Sequence, residues 1–309
     1  MHKKDIHTLT IHNSDLVKVI KTKKNVDIRF TENSALNRKH EAGTADLERD
    51  TVKRLSKDTY LDPVTRTEKK YKHKEKRTDN ESTFYRTRRE LNWLILNSFE
   101  GDSNEMMLTL TYENGMMNHT QLNKDFRNFF RRLSNSLKKT TTIDYIVVRE
   151  PHLSGDWHLH VLFKFDELDS AESSLPSTLL DWRKLFSQKW GKGIVDVQPI
   201  TDVNQLAAYL TNHLTNISVD ENGEEIESFT QSMSAKNVAK NLRLKLYPMS
   251  FNIYTYSKGF QKPPKTYMRF EECMNIYDET HFKNWDSSFL LYNDNFALTQ
   301  RQIQLTLKE

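Results

Sequence analysis

The stretch Trp157-His158-Leu159-His160-Val161-Leu162-Phe163 limits this chain more than any other. Trp157, Leu159, Val161 and Phe163 alternate with His158, His160 and Leu162, and alternation is the period of a β-strand. One face is apolar and aromatic, so it needs a core. The other carries two imidazoles two residues apart, which project the same way and can grip one metal ion. The run at 143–150 is a second strand, stopped by Pro151, and Ser154-Gly155-Asp156 turns the chain back. An antiparallel hairpin is expected, with Glu150 close to His158. His, His and a carboxylate leave positions open on a divalent ion, as a catalytic site needs.

A lone His-x-His is more often exposed or hydrogen-bonded than metal-bound. Here the apolar face is fully occupied by other residues, and Glu150 arrives as a third ligand. The chain has one cysteine, Cys273, which excludes an internal disulfide and a cysteine-rich zinc site. Any metal must use His, Asp or Glu.

Around the hairpin the pattern alternates between helix and strand. Residues 84–99 read as a helix, with Leu91, Leu94, Ile95 and Phe99 on one side. Arg86, Arg88 and Arg89 in its first turns oppose the helix dipole and need another partner, with phosphate or a carboxylate as candidates. Residues 105–112 read as a strand. Residues 121–138 read as a helix with Leu122, Phe126, Phe129, Leu133 and Leu137 in its stripe. A helix over 179–190 is expected to bury Trp182, Phe186 and Trp190. A strand over 194–200 is marked as terminal or edge by Pro199. Asp202 then caps a helix over 203–214. Leu206, Leu210 and Leu214 face inward there, and Tyr209 and His213 share a neighbouring stripe.

The expected fold class is α+β: an antiparallel sheet of about five strands with flanking helices. Three segments are expected: a basic, polar extension over 1–82, a domain over 83–265, and an aromatic tail over 266–309 packing on that domain. The basic run at 69–77, which includes Tyr71, suits either a solvated linker or a phosphate-tracking arm. The acidic stretch at 220–227 reads as a surface loop. Mean hydropathy is −0.76 and the net charge is +4, too mild an excess to argue for nucleic acid alone. No apolar run is long enough to cross a membrane and no basic-then-apolar leader opens the sequence, so the cytoplasm is expected. A phosphate-binding Gly-Lys-Ser/Thr loop is absent, which argues against a helicase.

Residues 84–265 resemble the HUH endonuclease superfamily, in its branch of rolling-circle replication initiators from small bacterial plasmids and phages. Leu108-Thr109-Leu110-Thr111-Tyr112 is similar to its first motif and His158-Leu159-His160 to its second. Ala207-Ala208-Tyr209-Leu210-Thr211-Asn212-His213 is similar to its third. Glu150 falls where the family has an upstream carboxylate ligand. The chain departs from the pattern at Asn212, where the family usually has lysine.

The resemblance implies a ferredoxin-like (RRM-like) sheet and Mg²⁺ or Mn²⁺ held by Glu150, His158 and His160. It implies Tyr209 as the nucleophile, with Asn212 and His213 beside it, and DNA contacts at Arg86, Arg88, Arg89, Thr109, Thr111 and Tyr112. The implied activity is nicking of single-stranded or melted origin DNA, which leaves a 5′-phosphotyrosine and a free 3′-OH primer. The implied partners are an origin strand or hairpin, and a host helicase and polymerase. The alternatives are a single-tyrosine transposase or relaxase, a non-catalytic DNA-binding regulator on the same fold, and a metal-free RNA-binding module.

Overall fold

The histidine strand forms where its alternation requires, but both of its faces are covered. In the computed structural model it runs Trp157–Phe165, and every residue from Trp157 to Phe163 is buried. The structure describes residues 2–32, 53–56, 58–61, 66–70, 81–166, 176–214, 216–219, 222, 225, 237–239, 243–249, 251–293 and 296–308. Tyr71 with the basic run from 71 to 77, and most of the acidic stretch at 220–227, lie outside them.

The first strands are β1 (His2–Asp5), β2 (Leu16–Lys21), β3 (Asn25–Thr31), β4 (Lys53–Arg54), β5 (Thr59–Leu61) and β6 (Glu68–Lys70). The middle strands are β7 (Glu105–Leu110), β8 (Ile143–Pro151), β9 (Trp157–Phe165), β10 (Val195–Pro199), β11 (Ile217–Val219), β12 (Asn237–Ala239) and β13 (Tyr254–Tyr256). The last are β14 (Thr266–Arg269), β15 (His281–Asn293) and β16 (Phe296–Leu307). The helices are α1 (Glu81–Ser98), α2 (His119–Leu137), α3 (Leu179–Trp190), α4 (Val203–His213) and α5 (Phe270–Tyr277).

The chain divides into two units, residues 83–262 and the two ends together, 1–82 with 263–309. The 83–262 unit is α+β. Its antiparallel sheet has five strands in the order β10-β7-β9-β8-β13, with the Pro199-bearing strand at one edge. The apolar stripes of α2 and α3 cover one face, with Phe129 and Phe186 packed 6.4 and 5.9 Å from Phe163. Fully burying a side chain of this kind contributes about 1.5–3 kcal/mol. α4 covers the other face, Tyr209 lying 6.1 Å from the His160 ring.

Capping fixes where the helices start. The Asn118 side chain accepts from the backbone N–H of Thr120 and Gln121 to begin α2, and Asp202 accepts from Gln205 to begin α4. After α3 the chain passes close to residues 111–113. A Cβ on Gly193 (φ +153°) would collide with the Thr111 carbonyl oxygen, so only glycine fits this turn.

The terminal segments were read as a separate extension and tail, yet their strands pair with one another. They build a six-stranded antiparallel sheet in the order β1-β15-β16-β3-β2-β14. Its core takes Val17 and Val19 from β2, Val26 and Ile28 from β3, Ile303 and Leu305 from β16, and Cys273 and Tyr277 from α5. The short runs in the first 82 residues cannot make a core alone, and here they obtain one by pairing across the sequence. Of the tail's aromatics, Tyr277 and Phe289 are buried, while Phe282 and Trp285 are exposed. Burial pushes the Cys273 thiol up to about 12, which makes it an inert core residue.

Candidate metal centre

The β8–β9 hairpin sets the site. Its register places Glu150 directly opposite His158, and Val148 opposite His160. Opposed residues project to the same face, so the carboxylate and both imidazoles meet on the α4 side of the sheet. Glu150 Oε2 lies 2.7 Å from His160 Nε2 and 3.4 Å from His158 Nε2, and the two Nε2 atoms are 2.9 Å apart. All three residues are buried. Ligand bonds of about 2.0–2.2 Å put the donor atoms of a single ion about 3 Å apart, so this cluster is dimensioned for one.

The shell around the three is ordered. His160 Nδ1 lies 3.2 Å from the Thr109 hydroxyl, which directs its Nε2 at the cluster. The His158 ring stacks 4.0 Å from His152, whose Nδ1 lies 3.4 Å from a Glu225 carboxylate oxygen. Arg243 joins both acids, with Nη1 2.7 Å from Glu150 Oε1 and Nη2 2.6 Å from Glu225 Oε1. It also donates to the Pro151 carbonyl at 2.6 Å. Burial opposes ionisation of Glu150, but Arg243 and the two histidines outweigh it and hold the carboxyl well below the usual range. Burial pushes His158 down to about 3 despite Glu150, so the imidazole is neutral and keeps its lone pair. Glu225 is held near 2, because His152 and Arg243 overcome the cost of its burial.

Tyr209 and His213 stand four apart on α4 with ring centroids 4.2 Å apart. His213 Nδ1 lies 3.3 Å from Glu150 Oε1, so one residue touches both the tyrosine and a candidate ligand. Asn212 accepts a hydrogen bond from the Arg88 guanidinium, which ties α1 to the same turn of α4. The other sequence-predicted contacts are scattered. Arg86 is exposed, and Arg89 lies over the Trp93 ring at 5.3 Å. Thr109 is at the site, and Thr111 shares its face of the sheet.

Tyr112 is turned the other way. It is buried against Trp190 and donates to Asp125 at 3.0 Å, which leaves it no role in contacting DNA from this face. The reason is the strand period, which sends residues 110 and 112 to the opposite side from 109 and 111.

Sequence reasoning missed His152, Glu225 and Arg243. His152 lies two residues beyond Glu150 and was within reach of the hairpin argument. Glu225 belongs to a stretch that reads as a surface loop, yet its carboxylate is buried and accepts from the Leu153 N–H at 2.8 Å. Arg243 is in no pattern.

Residues 105–217 match a family model for replication-associated proteins of the ORF2 type, a family of rolling-circle replication initiators. The matched stretch begins with β7 and ends at β11, so it contains the whole Glu150, His158, His160, Tyr209 and His213 group. This match supports a role in replication initiation. No curated protein and no solved structure gives a significant match to the chain. No described helix is long and apolar enough to cross a membrane.

Proposed function

We propose that the protein starts rolling-circle replication by nicking a single-stranded or melted origin, with Tyr209 as nucleophile. The carrying observation is that the Tyr209 ring stands over His160 and beside His213, both of which reach Glu150. Glu150, His158 and His160 would hold Mg²⁺ or Mn²⁺, which when bound neutralises charge developing on the scissile phosphate. The Tyr209 oxygen bonds to phosphorus as the bond from phosphorus to the 3′ oxygen breaks. The departing 3′ oxygen takes up a proton and becomes the primer hydroxyl. A phenol has a pKa near 10, so its proton needs an acceptor, and His213 is the group placed to take it. One phosphodiester is exchanged for another, so rejoining needs no ATP.

Arg88 bears on the departure at Asn212. Through its bond to Asn212 it places a permanent cation on the turn where relatives of this kind carry lysine. It is suited to orient the phosphate.

A labelled pool of single-stranded oligonucleotides incubated with the full-length protein and Mn²⁺ tests this reading. A covalent adduct should form, disappear with EDTA, and disappear in Tyr209→Phe. An adduct that persists in Tyr209→Phe would sink the nucleophile assignment.

The 3% exposure of Tyr209 favours one second reading, a DNA-binding regulator without cleavage. Its signature is oligonucleotide binding with no adduct under any divalent ion.

A further inference from the structure

On the opposite face of the sheet from the metal cluster, α2 and the segment around residues 248–255 enclose a cavity of about 670 Å³. That volume falls within the roughly 300–1,000 Å³ of small-ligand sites. Arg149, the residue before Glu150, projects into this side of the sheet and is buried, with 5% of its surface exposed. Its three acceptors are all neutral: the Asn123 side-chain oxygen at 2.6 Å, the Asn252 carbonyl at 3.3 Å and the Thr255 hydroxyl at 3.0 Å. No carboxylate among the described residues pairs with it. A buried guanidinium without a counter-charge is costly, and an anion in the adjoining cavity offsets that cost.

The rest of the lining agrees in sign and in shape. Arg127 adds a second cation, and His119 opens α2, whose first turn holds no acidic residue. Tyr145 and Phe251 supply aromatic walls.

We propose that this cavity binds a nucleotide unit, its phosphate on Arg149 and Arg127 and its base against Tyr145 and Phe251. The shared chemistry is a phosphate joined to a flat ring, met either as a free nucleotide or as one residue of a DNA strand. The proposal uses none of the nicking residues, so the two readings stand or fall separately.

The test is calorimetric titration of the full-length protein, with EDTA present to silence the metal cluster. Saturable binding of dTMP is expected, tighter than that of inorganic phosphate. Arg149→Met should weaken it about tenfold or more, as loss of a charge-assisted contact does. Arg149 is buried and its variant can fail to fold, so Arg127→Ala, at an exposed position, is measured beside it and should also weaken binding. A short oligothymidylate distinguishes the sources. If it competes with dTMP and is weakened by Arg127→Ala, the site serves a DNA strand. If it does neither while dTMP binding is weakened, the ligand is a free nucleotide. Absence of dTMP binding, or binding unchanged in Arg127→Ala and in folded Arg149→Met, would overturn the proposal.

Discussion

Arg243 has the most to hold in place. It is 1% exposed and bridges two buried carboxylates, one of them a candidate metal ligand. Removing one partner of a buried ionic cluster costs about 3–5 kcal/mol, because the remaining charges lose their compensation. Arg243→Met should lower stability by about that amount in urea denaturation, and it should release Glu150 from its fixed rotamer. Arg88 is a different case, since it acts at the periphery of the cluster. Arg88→Ala should leave the urea midpoint nearly unchanged while slowing adduct formation about tenfold or more, about 1.4 kcal/mol in the barrier.

The pH dependence follows from His158 and Glu225, and both have the same sign. His158 is held neutral by burial, so the unfolded chain takes up its proton first, and stability falls as pH drops from 6.5 towards about 3. Glu225 contributes fully above 4.5 and its share is lost as pH falls towards about 2. In EDTA, urea midpoints should therefore decline below pH 6.5, and His158→Asn should flatten the upper part of that decline. An unaltered slope in His158→Asn would remove His158 as its source.

At the level of elements, the β8–β9 hairpin and α4 decide the site. Asp202 accepts from Gln205 at 2.9 Å and starts α4, so Asp202→Ala should cost about 0.5–2 kcal/mol by thermal or urea denaturation. These same elements show why part of the molecule was legible in the sequence. A hairpin is local: Glu150, His158 and His160 lie within a short span, and the strand period alone puts them on one face. α2, α3 and α4 were legible because their apolar residues recur at the helical spacing and side-chain caps mark the starts of all three. Arg243 and Glu225 were not, since they reach the cluster from distant segments without periodic pattern, and only tertiary packing brings them in. Tyr112 was misplaced because a motif assigns residues to a site without regard to which face of a strand they occupy.

At the scale of the whole molecule, the unit formed by the two ends depends on residues separated by the entire 83–262 unit. β3 lies between β2 and β16, and β2 between β3 and β14. Truncation after Lys262 removes β14, α5, β15 and β16, and with them most of that core. In urea, the truncated chain should lose the transition of this unit while the 83–262 unit still unfolds cooperatively. Limited proteolysis should then cut within residues 1–32 and spare the five-stranded sheet. Protection of residues 1–32 in the truncated chain would show that β1 to β3 fold alone.

This discontinuity also sets an order of events on the ribosome. Translation runs from the N-terminus and domains fold as they emerge. β2 and β3 appear early, but the strands that flank them are made last. The 83–262 unit can close, nicking cluster included, while the first strands still present bare edges to the surrounding solution. For the time needed to translate that whole intervening unit, the nascent chain is at its most sticky, and a holding chaperone would have the most to protect.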